Sequence, residues 1–261
     1  DKRFGQHFLT DPNILARIAA APGDLAGRTI IEIGPGPGGL TRALLEAGAE
    51  HLIAVEIDPR CVAVIGELSD AVPGRIELVE ADALTLKAQD LGAAPRQIIA
   101  NLPYNVATPL LIGWLKAIAE DATAIEGMTL MFQREVADRL VAQPGAKTYG
   151  RLSVMTQWLT RARKLFNLPG GAFTPPPKVL SSVVRLLPSN AAPGLEAFTA
   201  MERVVAAAFG QRRKMLRQSL KGLGCAPESI LDPAGIDGAR RAETLDIPEF
   251  VRLAEVWRHG G

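Results

Sequence analysis

Asn101-Leu102-Pro103-Tyr104-Asn105-Val106-Ala107, directly after the apolar run Gln97-Ile98-Ile99-Ala100, is the stretch on which the reading of this chain turns. The β-branched pair and its apolar neighbour read as a buried strand. Pro103 cannot donate to a ladder and biases Leu102 toward an extended shape, so the strand stops there. That leaves an amide side chain, a backbone carbonyl and an aromatic ring at the strand's C-terminal end, where open α/β sheets bind ligands. An Asn oxygen and a neighbouring carbonyl are two acceptors, and a flat NH2 group offers two donors. A tyrosine can stack on the ring bearing that NH2. The constellation suits an amine conjugated to a base, although Asn and Pro also form ordinary strand-to-turn junctions.

Working outward, strands and helices alternate. Thr29–Ile33, His51–Val55, Arg75–Val79, Gln97–Ala100 and Met128–Phe132 read as strands. Asp11-Pro12 opens a helix as a cap followed by proline. Thr108-Pro109 is expected to start another, with Leu110, Leu111, Trp114, Leu115 and Ile118 as its apolar face. Glu135 to Val141 and Leu152 to Leu159 read as helical, and Ala162–Leu168 and Val179–Leu187 as two further strands. Phe173-Thr174-Pro175-Pro176-Pro177-Lys178 between them reads as a stiff loop rather than a strand. This alternation implies an α/β fold, a doubly wound and mostly parallel seven-stranded sheet. Pro188 to Pro193 is a linker, so residues 1–188 are read as a catalytic domain and 189–261 as a small all-helical domain.

Composition narrows the class. The chain has 261 residues, 48% hydrophobic and 22% charged, ordinary for a globular protein with one large domain and a small one. A net charge of +1 leaves nucleic-acid affinity to local clustering. Cys61 and Cys225 are far apart, which argues against a zinc site or disulfide framework and fits a reducing, cytoplasmic setting. No apolar run reaches the length of a membrane span and no signal peptide is visible. His7, His51 and His259 form no triad or metal motif, so no metal is expected. No sustained apolar surface pattern demands a dimer, so a monomer is expected.

Gly34-Pro35-Gly36-Pro37-Gly38-Gly39 joins the first sheet strand to a helix. Glycines allow a sharp turn and close approach to a ligand. The stiff prolines, and the lack of a following Lys-Ser or Lys-Thr, point to a nucleoside without a pyrophosphate rather than to a P-loop. Glu56, ending the second strand about twenty residues on, can accept both ribose hydroxyls. Asp58 is read as a cap for the helix opened by Pro59. Asp82, after the third strand, is placed to accept from an adenine amine or to cap a turn. Together these strand tips describe a pocket for an adenosine-containing cofactor.

Strand, then Glu32-Ile33-Gly34-Pro35-Gly36, Val55-Glu56-Ile57-Asp58, Ala81-Asp82-Ala83 and Asn101-Leu102-Pro103-Tyr104-Asn105 resembles a class I, Rossmann-like, S-adenosylmethionine-dependent methyltransferase of the amino-methylating kind. With Arg3-Phe4-Gly5-Gln6-His7-Phe8-Leu9 in front, the chain resembles the rRNA adenine N6,N6-dimethyltransferase family. Phe173-Thr174-Pro175-Pro176-Pro177-Lys178-Val179 and Phe209-Gly210-Gln211-Arg212-Arg213-Lys214-Met215-Leu216-Arg217 point to its housekeeping small-subunit branch, the KsgA type. The resemblance implies dimethylation of two adjacent adenosines near the 3′ end of small-subunit rRNA, within the immature small ribosomal subunit. Carried over by position, cofactor contacts fall on His7, Leu9, Gly34, Gly36, Glu56, Asp82 and Asn101, and the catalytic stretch on Asn101, Leu102, Pro103 and Tyr104. The family often has Asn where this chain has His7, and many members carry Asp where it has Leu180.

Arg212, Arg213, Lys214, Arg217 and Lys221 form an acid-free run. The four-residue spacings of Arg213, Arg217 and Lys221 are expected to put them on one helical face, suited to RNA phosphates; a solvated helix face is the plainer account. Lys2-Arg3 and Arg161-Ala162-Arg163-Lys164 could extend the track. Methylation of large-subunit rRNA or DNA, or an RNA-binding assembly role with incidental methylation, are the alternatives.

Overall fold

The computed structural model describes residues 7–177, 179–189 and 191–260; Lys2, Arg3, Lys178 and the rest of the first six residues lie outside them. Seven strands form one sheet: β2 (Thr29–Ile33), β3 (His51–Glu56), β4 (Ile76–Glu80), β5 (Arg96–Asn101), β6 (Gly127–Gln133), β7 (Thr160–Leu168) and β9 (Ser181–Pro188). Their order is β4-β3-β2-β5-β6-β9-β7. All neighbours from β4 to β6 are parallel, and β9 runs antiparallel to both β6 and β7. The chain winds outward from β2 to β4, then returns to lay β5 on the other side of β2. That reversal opens a crevice at the C-terminal ends of β2 and β5.

The period-2 alternation of the strands sorts side chains onto two cores. Ile30, Leu52, Ala54 and Ile99 pack on helices α1 (Pro12–Ala20) and α2 (Gly39–Glu46) through Ile18 and Leu44. Ile31, Ile33, Ile53, Val55 and Ile98 face α4 (Tyr104–Glu120) on the other side. Helix α3 (Pro59–Ala71) lies beside β4, and α5 (Arg134–Leu140) and α6 (Arg151–Leu159) fill the connection from β6 to β7. Asp11 accepts from the Asn13 and Ile14 amides as the cap read from Asp11-Pro12.

Three local expectations fail, each for a visible reason. Helix α4 begins at Tyr104 rather than at Thr108-Pro109, with Pro103 at its N-cap and Pro109 inside it. Burial of Leu110, Leu111, Trp114, Leu115 and Ile118 outweighs the one hydrogen bond that Pro109 removes. Phe173–Thr174 is not loop but a short strand, β8, pairing antiparallel with β1 (Phe8–Leu9). Phe173 is buried, and Pro175, which lacks an N–H, ends the ribbon after two residues. The single helical face across Arg213, Arg217 and Lys221 does not form either. Helix α7 (Leu195–Gly210) ends before it, residues 211–214 turn, and α8 (Leu216–Ser219) runs into a 3-10 turn, Leu220–Leu223. The Leu216 and Arg217 amides donate to the Arg240 and Gly238 carbonyls, which a continuous helix would have forbidden, and this buries Leu216 and Leu220.

Helices α9 (Glu228–Ala234) and α10 (Ile247–Gly260) complete the C-terminal region, where Phe250 stacks on Phe209 of α7. Phe198, Met201 and Val205 of α7 share a core with Leu111 and Leu115 of α4.

Two buried polar groups tie the sheet to its surroundings. Arg185 on β9 donates to Gln97 Oε1 (2.8 Å) and Thr129 Oγ1 (3.0 Å), and Gln97 donates to Glu126, which also pairs with Arg28. Glu32 on β2 is 1% exposed, with Thr41 Oγ1 donating to its Oε2 at 2.7 Å. Burial pushes the Glu32 carboxyl up from 4.5 to about 8; the Thr41 bond opposes this and the nearby Glu56 charge adds to it. Between those two values the folded chain binds more protons than the unfolded chain, so stability falls as pH rises through the window. Glu32→Gln keeps an acceptor for Thr41 without the titration. Between pH 5 and pH 8 the wild-type melting temperature is expected to drop about 2–4 °C or more relative to the variant's. A difference that stays constant with pH would refute the assignment.

Candidate active site

The crevice at the strand ends holds a cavity of about 220 Å³, bounded by the tips of β2, β3 and β5, the segment after β4, and the start of α4. Gly34 and Gly36 line it in the left-handed region, at φ 67° and 57°. A Cβ at Gly36 would come within 2.9 Å of the Phe8 ring, whereas one at Gly34 would meet no protein atom within 4 Å. Gly34 therefore borders open space, and Gly36 allows the β1–β8 ribbon to lie against the loop.

Glu56 is 4% exposed and its carboxylate is held by backbone amides. Oε2 accepts from Gly36 (3.1 Å), and Oε1 accepts from Ile57 (2.8 Å) and Asp58 (2.9 Å). These bonds occupy three of the carboxylate's roughly four acceptor sites and leave one, on Oε2, for a ligand hydroxyl. Asp58 is withdrawn from the cavity: it caps α3 through the Arg60 amide and pairs with the Arg60 guanidinium at 2.6 Å. Asp82 borders the cavity and also accepts from the Leu84 amide at 2.9 Å, so it combines the two roles open to it in the sequence.

At the opposite wall, Asn101 Nδ2 donates to the His7 carbonyl at 3.1 Å. With its NH2 end engaged there, the amide keeps Oδ1 as an acceptor. Leu102, Pro103 and Tyr104 continue the wall, and the Tyr104 hydroxyl lies 2.7 Å from Ser181 Oγ. The His7 ring donates from Nδ1 to the Pro175 carbonyl (2.8 Å) and its centroid is 6.1 Å from that of Tyr104. Leu9 is buried in the core behind the glycine loop and does not border the cavity, though its carbonyl passes close to Gly39.

Sequence reasoning missed three contributors. Ile57 and Leu84 border the cavity while 50% and 48% exposed, giving it apolar edges that could cover the faces of a flat ring. Their signal was an apolar residue one or two positions after an acidic residue at a strand end, Ile57 after Glu56 and Leu84 after Asp82. Phe8 entered the reading only within the Arg3-to-Leu9 motif, with no role of its own. The basic residues Arg212, Arg213, Lys214, Arg217 and Lys221 are all exposed, and Arg212 donates to the Lys147 carbonyl at 2.5 Å. Of the proposed extension, Arg161 and Arg163 are exposed on the edge strand β7, while Lys164 pairs with Asp138.

Residues 1–258 match the family described as ribosomal RNA adenine dimethylase. The chain is 55% identical over 255 residues to the ribosomal RNA small subunit methyltransferase A of Gluconobacter oxydans, covering 98% of this chain and 82% of that one. It is 56% identical over 253 residues to the protein of that name from Rhodospirillum rubrum, covering 97% and 86%. Among solved structures it resembles a dimethyladenosine transferase from Plasmodium falciparum, with a TM-score of 0.80, 26% identity, and 95% and 96% of the two chains covered. It also resembles the 23S rRNA methyltransferase ErmE, at a TM-score of 0.70 and 28% identity over 95% and 98%. The strand-end crevice, the amide-held carboxylate and the Asn-Leu-Pro-Tyr wall thus sit in a chain that belongs to the ribosomal RNA adenine dimethylase family.

Proposed function

We propose that this chain transfers methyl groups from S-adenosylmethionine to the N6 amines of two adjacent adenosines near the 3′ end of small-subunit rRNA, acting on the immature subunit as a cytoplasmic monomer. The observation that carries this reading is the Asn101 amide, turned by the His7 carbonyl so that its oxygen is the end left to accept. The curated relatives at 51–56% identity, named for the small subunit, favour that substrate over the large-subunit rRNA named for ErmE.

The cavity fits an adenosine-containing cofactor. Its Gly34 border is open, its Glu56 carboxylate keeps an acceptor site for a ribose hydroxyl, and Ile57 and Leu84 suit a purine face. When bound, the cofactor supplies an electrophilic sulfonium methyl. The residues of the chain do the rest. Asn101 Oδ1 and the Leu102 carbonyl accept the two hydrogens of the adenine amine, drawing its nitrogen toward tetrahedral geometry and freeing a lone pair otherwise delocalised into the ring. Pro103 has no N–H to compete for those acceptors. Tyr104 stacks on the base, its ring steadied through Ser181. Holding the amine in line with the methyl supplies most of the acceleration. The methylated nitrogen is strongly acidic, so no side chain has to act as a strong base. The adenosine must first leave its helix to reach the cavity.

Residues 189–261 are proposed as the RNA-binding unit, with Arg212, Arg213, Lys214, Arg217 and Lys221 meeting phosphates from a turn and two short helical pieces.

Two measurements test this reading. Asn101→Ala removes a partner that matters most in the transition state, and single-turnover tritium transfer to immature small subunits is expected to slow by about 10²–10³-fold, by analogy with oxyanion-hole donors. Near-wild-type transfer would refute the mechanism. Replacing Arg212, Arg213 and Arg217 together with alanine is expected to weaken RNA binding and reduce the slope of log affinity against log salt by about 2. An unchanged slope would remove the patch from the RNA interface.

A further inference from the structure

We propose that Arg17, Arg161 and Arg163 form a second phosphate-binding track for RNA, on the outer edge of the sheet and on the face covered by α1. This rests on the RNA substrate proposed above. It goes beyond that reading by assigning a surface of the catalytic unit, separate from the basic run near Arg212, to the same partner.

Charge is unevenly spread along the chain. From Arg139 to Leu195 there are eight Lys and Arg and no Asp or Glu. At the chain's average of 28 acids in 261 residues, a stretch of that length would carry roughly six. The segment thus has a formal charge of +8 in a chain of net +1, and the other residues sum to −7. Some of these cations are engaged within the fold: Arg139 pairs with Glu135, Lys164 pairs with Asp138, and Arg185 is buried against Gln97 and Thr129. Arg161 and Arg163 are exposed, and among the described residues their side chains have no ion-pair or hydrogen-bond partner.

Strand geometry puts these two on one face. Ala162 packs into the core shared with α4, and Lys164 reaches Asp138 of α5, so Arg161 and Arg163 project on the opposite face. Two residues of strand separate them by about 7 Å. The register of β7 shifts between Lys164 and Phe166, which brings Leu165 and Phe166 onto the α1 side as well. There the Arg17 guanidinium lies 3.7 Å from the centre of the Phe166 ring. This cation–π contact lays the Arg17 side chain along the edge and leaves its N–H donors for an acceptor. Helix α1 contributes no acid, and β7 is the last strand of the sheet, so no further strand covers the row. The row also leads from the crevice. Residues 169–172 connect β7 to β8, which pairs with β1 at the crevice wall, and α1 begins just after β1. The C-terminal unit packs through α7 on α4, on the other face of the sheet. An RNA strand leaving the crevice along α1 therefore meets its own row of guanidinium forks, a geometry that matches phosphate oxygens.

The plainer role for these cations is protection of the edge, since charge on an outer strand keeps it from pairing with another chain. Salt dependence separates the two roles. Binding to immature small subunits is measured across a salt series for three proteins: the wild type, a triple variant combining Arg17→Gln, Arg161→Gln and Arg163→Gln, and one combining Arg17→Lys, Arg161→Lys and Arg163→Lys. The glutamine triple is expected to bind about tenfold more weakly and to lower the slope of log affinity against log salt by about 2. Its affinity for S-adenosylhomocysteine, measured by calorimetry, is expected to stay at the wild-type value. The lysine triple is expected to keep the wild-type slope. A photo-crosslinking residue introduced at position 161 is expected to attach to rRNA. An unchanged slope in the glutamine triple, a lysine triple as impaired as the glutamine one, or cross-links to ribosomal protein alone would each overturn the track. Wild-type protein that fails to bind and methylate these particles would overturn the proposed function itself, and the track with it.

Discussion

A single hydrogen bond, from Asn101 Nδ2 to the His7 carbonyl, holds the working geometry together. An amide side chain is close to symmetric in shape and opposite in chemistry at its two ends. Whichever end is satisfied by the protein decides whether the other donates or accepts a hydrogen bond. Here the donor end is taken up by backbone from the other end of the chain, so the acceptor end is the one left for a ligand. The bond depends on the β1–β8 ribbon, the ribbon depends on Phe173 being buried, and the close approach of Phe8 depends on Gly36 lacking a side chain. A site that looks local in sequence is thus closed by segments some hundred residues to either side.

Charge is handled differently on the two neighbouring acidic residues. Glu56 faces the cavity with three backbone amides on its carboxylate, an arrangement that fixes its oxygens before any ligand arrives. Glu32 lies two residues before Gly34, buried beneath α2 with one hydroxyl donor, and burial pushes its carboxyl up to about 8. Two ionised carboxylates so near each other would repel. A neutral Glu32 relieves that repulsion.

Much of the architecture was legible because it rests on period and on breakers. Alternating β-branched strands, the proline at 103 that stops β5, and the acid tips of β3 and β4 each report a local physical rule, and the crevice follows from their order in the sheet. What escaped was set by tertiary contact. Two residues of β8 pair only because Phe8–Leu9 lies alongside. Helix α4 extends back to Tyr104 because its apolar face is buried deeply enough to carry Pro109 inside it. Ile57 and Leu84 read as unremarkable apolar residues, and only the folded chain shows them exposed at the rim of a cavity. Glu32 was read as part of the glycine motif, and its burial depends on α2 covering it.

The basic segment teaches the same point about spacing. Residues four apart share a face only while a helix continues. Here the chain exchanges two i-to-i−4 bonds for bonds to the Arg240 and Gly238 carbonyls, and so bends between Arg213 and Arg217. A straight stripe of cations would track one strand of phosphates along a groove. Cations divided between a turn, a one-turn helix and a 3-10 turn are spread over a broader surface, with Arg212 braced against the Lys147 carbonyl in the segment before α6. RNA recognised by shape rather than by groove reading presents phosphates in more than one direction. The bend therefore presents these cations in more than one direction, which is what the proposed contact with a folded RNA surface requires and the unbroken helix that spacing alone suggested would not supply.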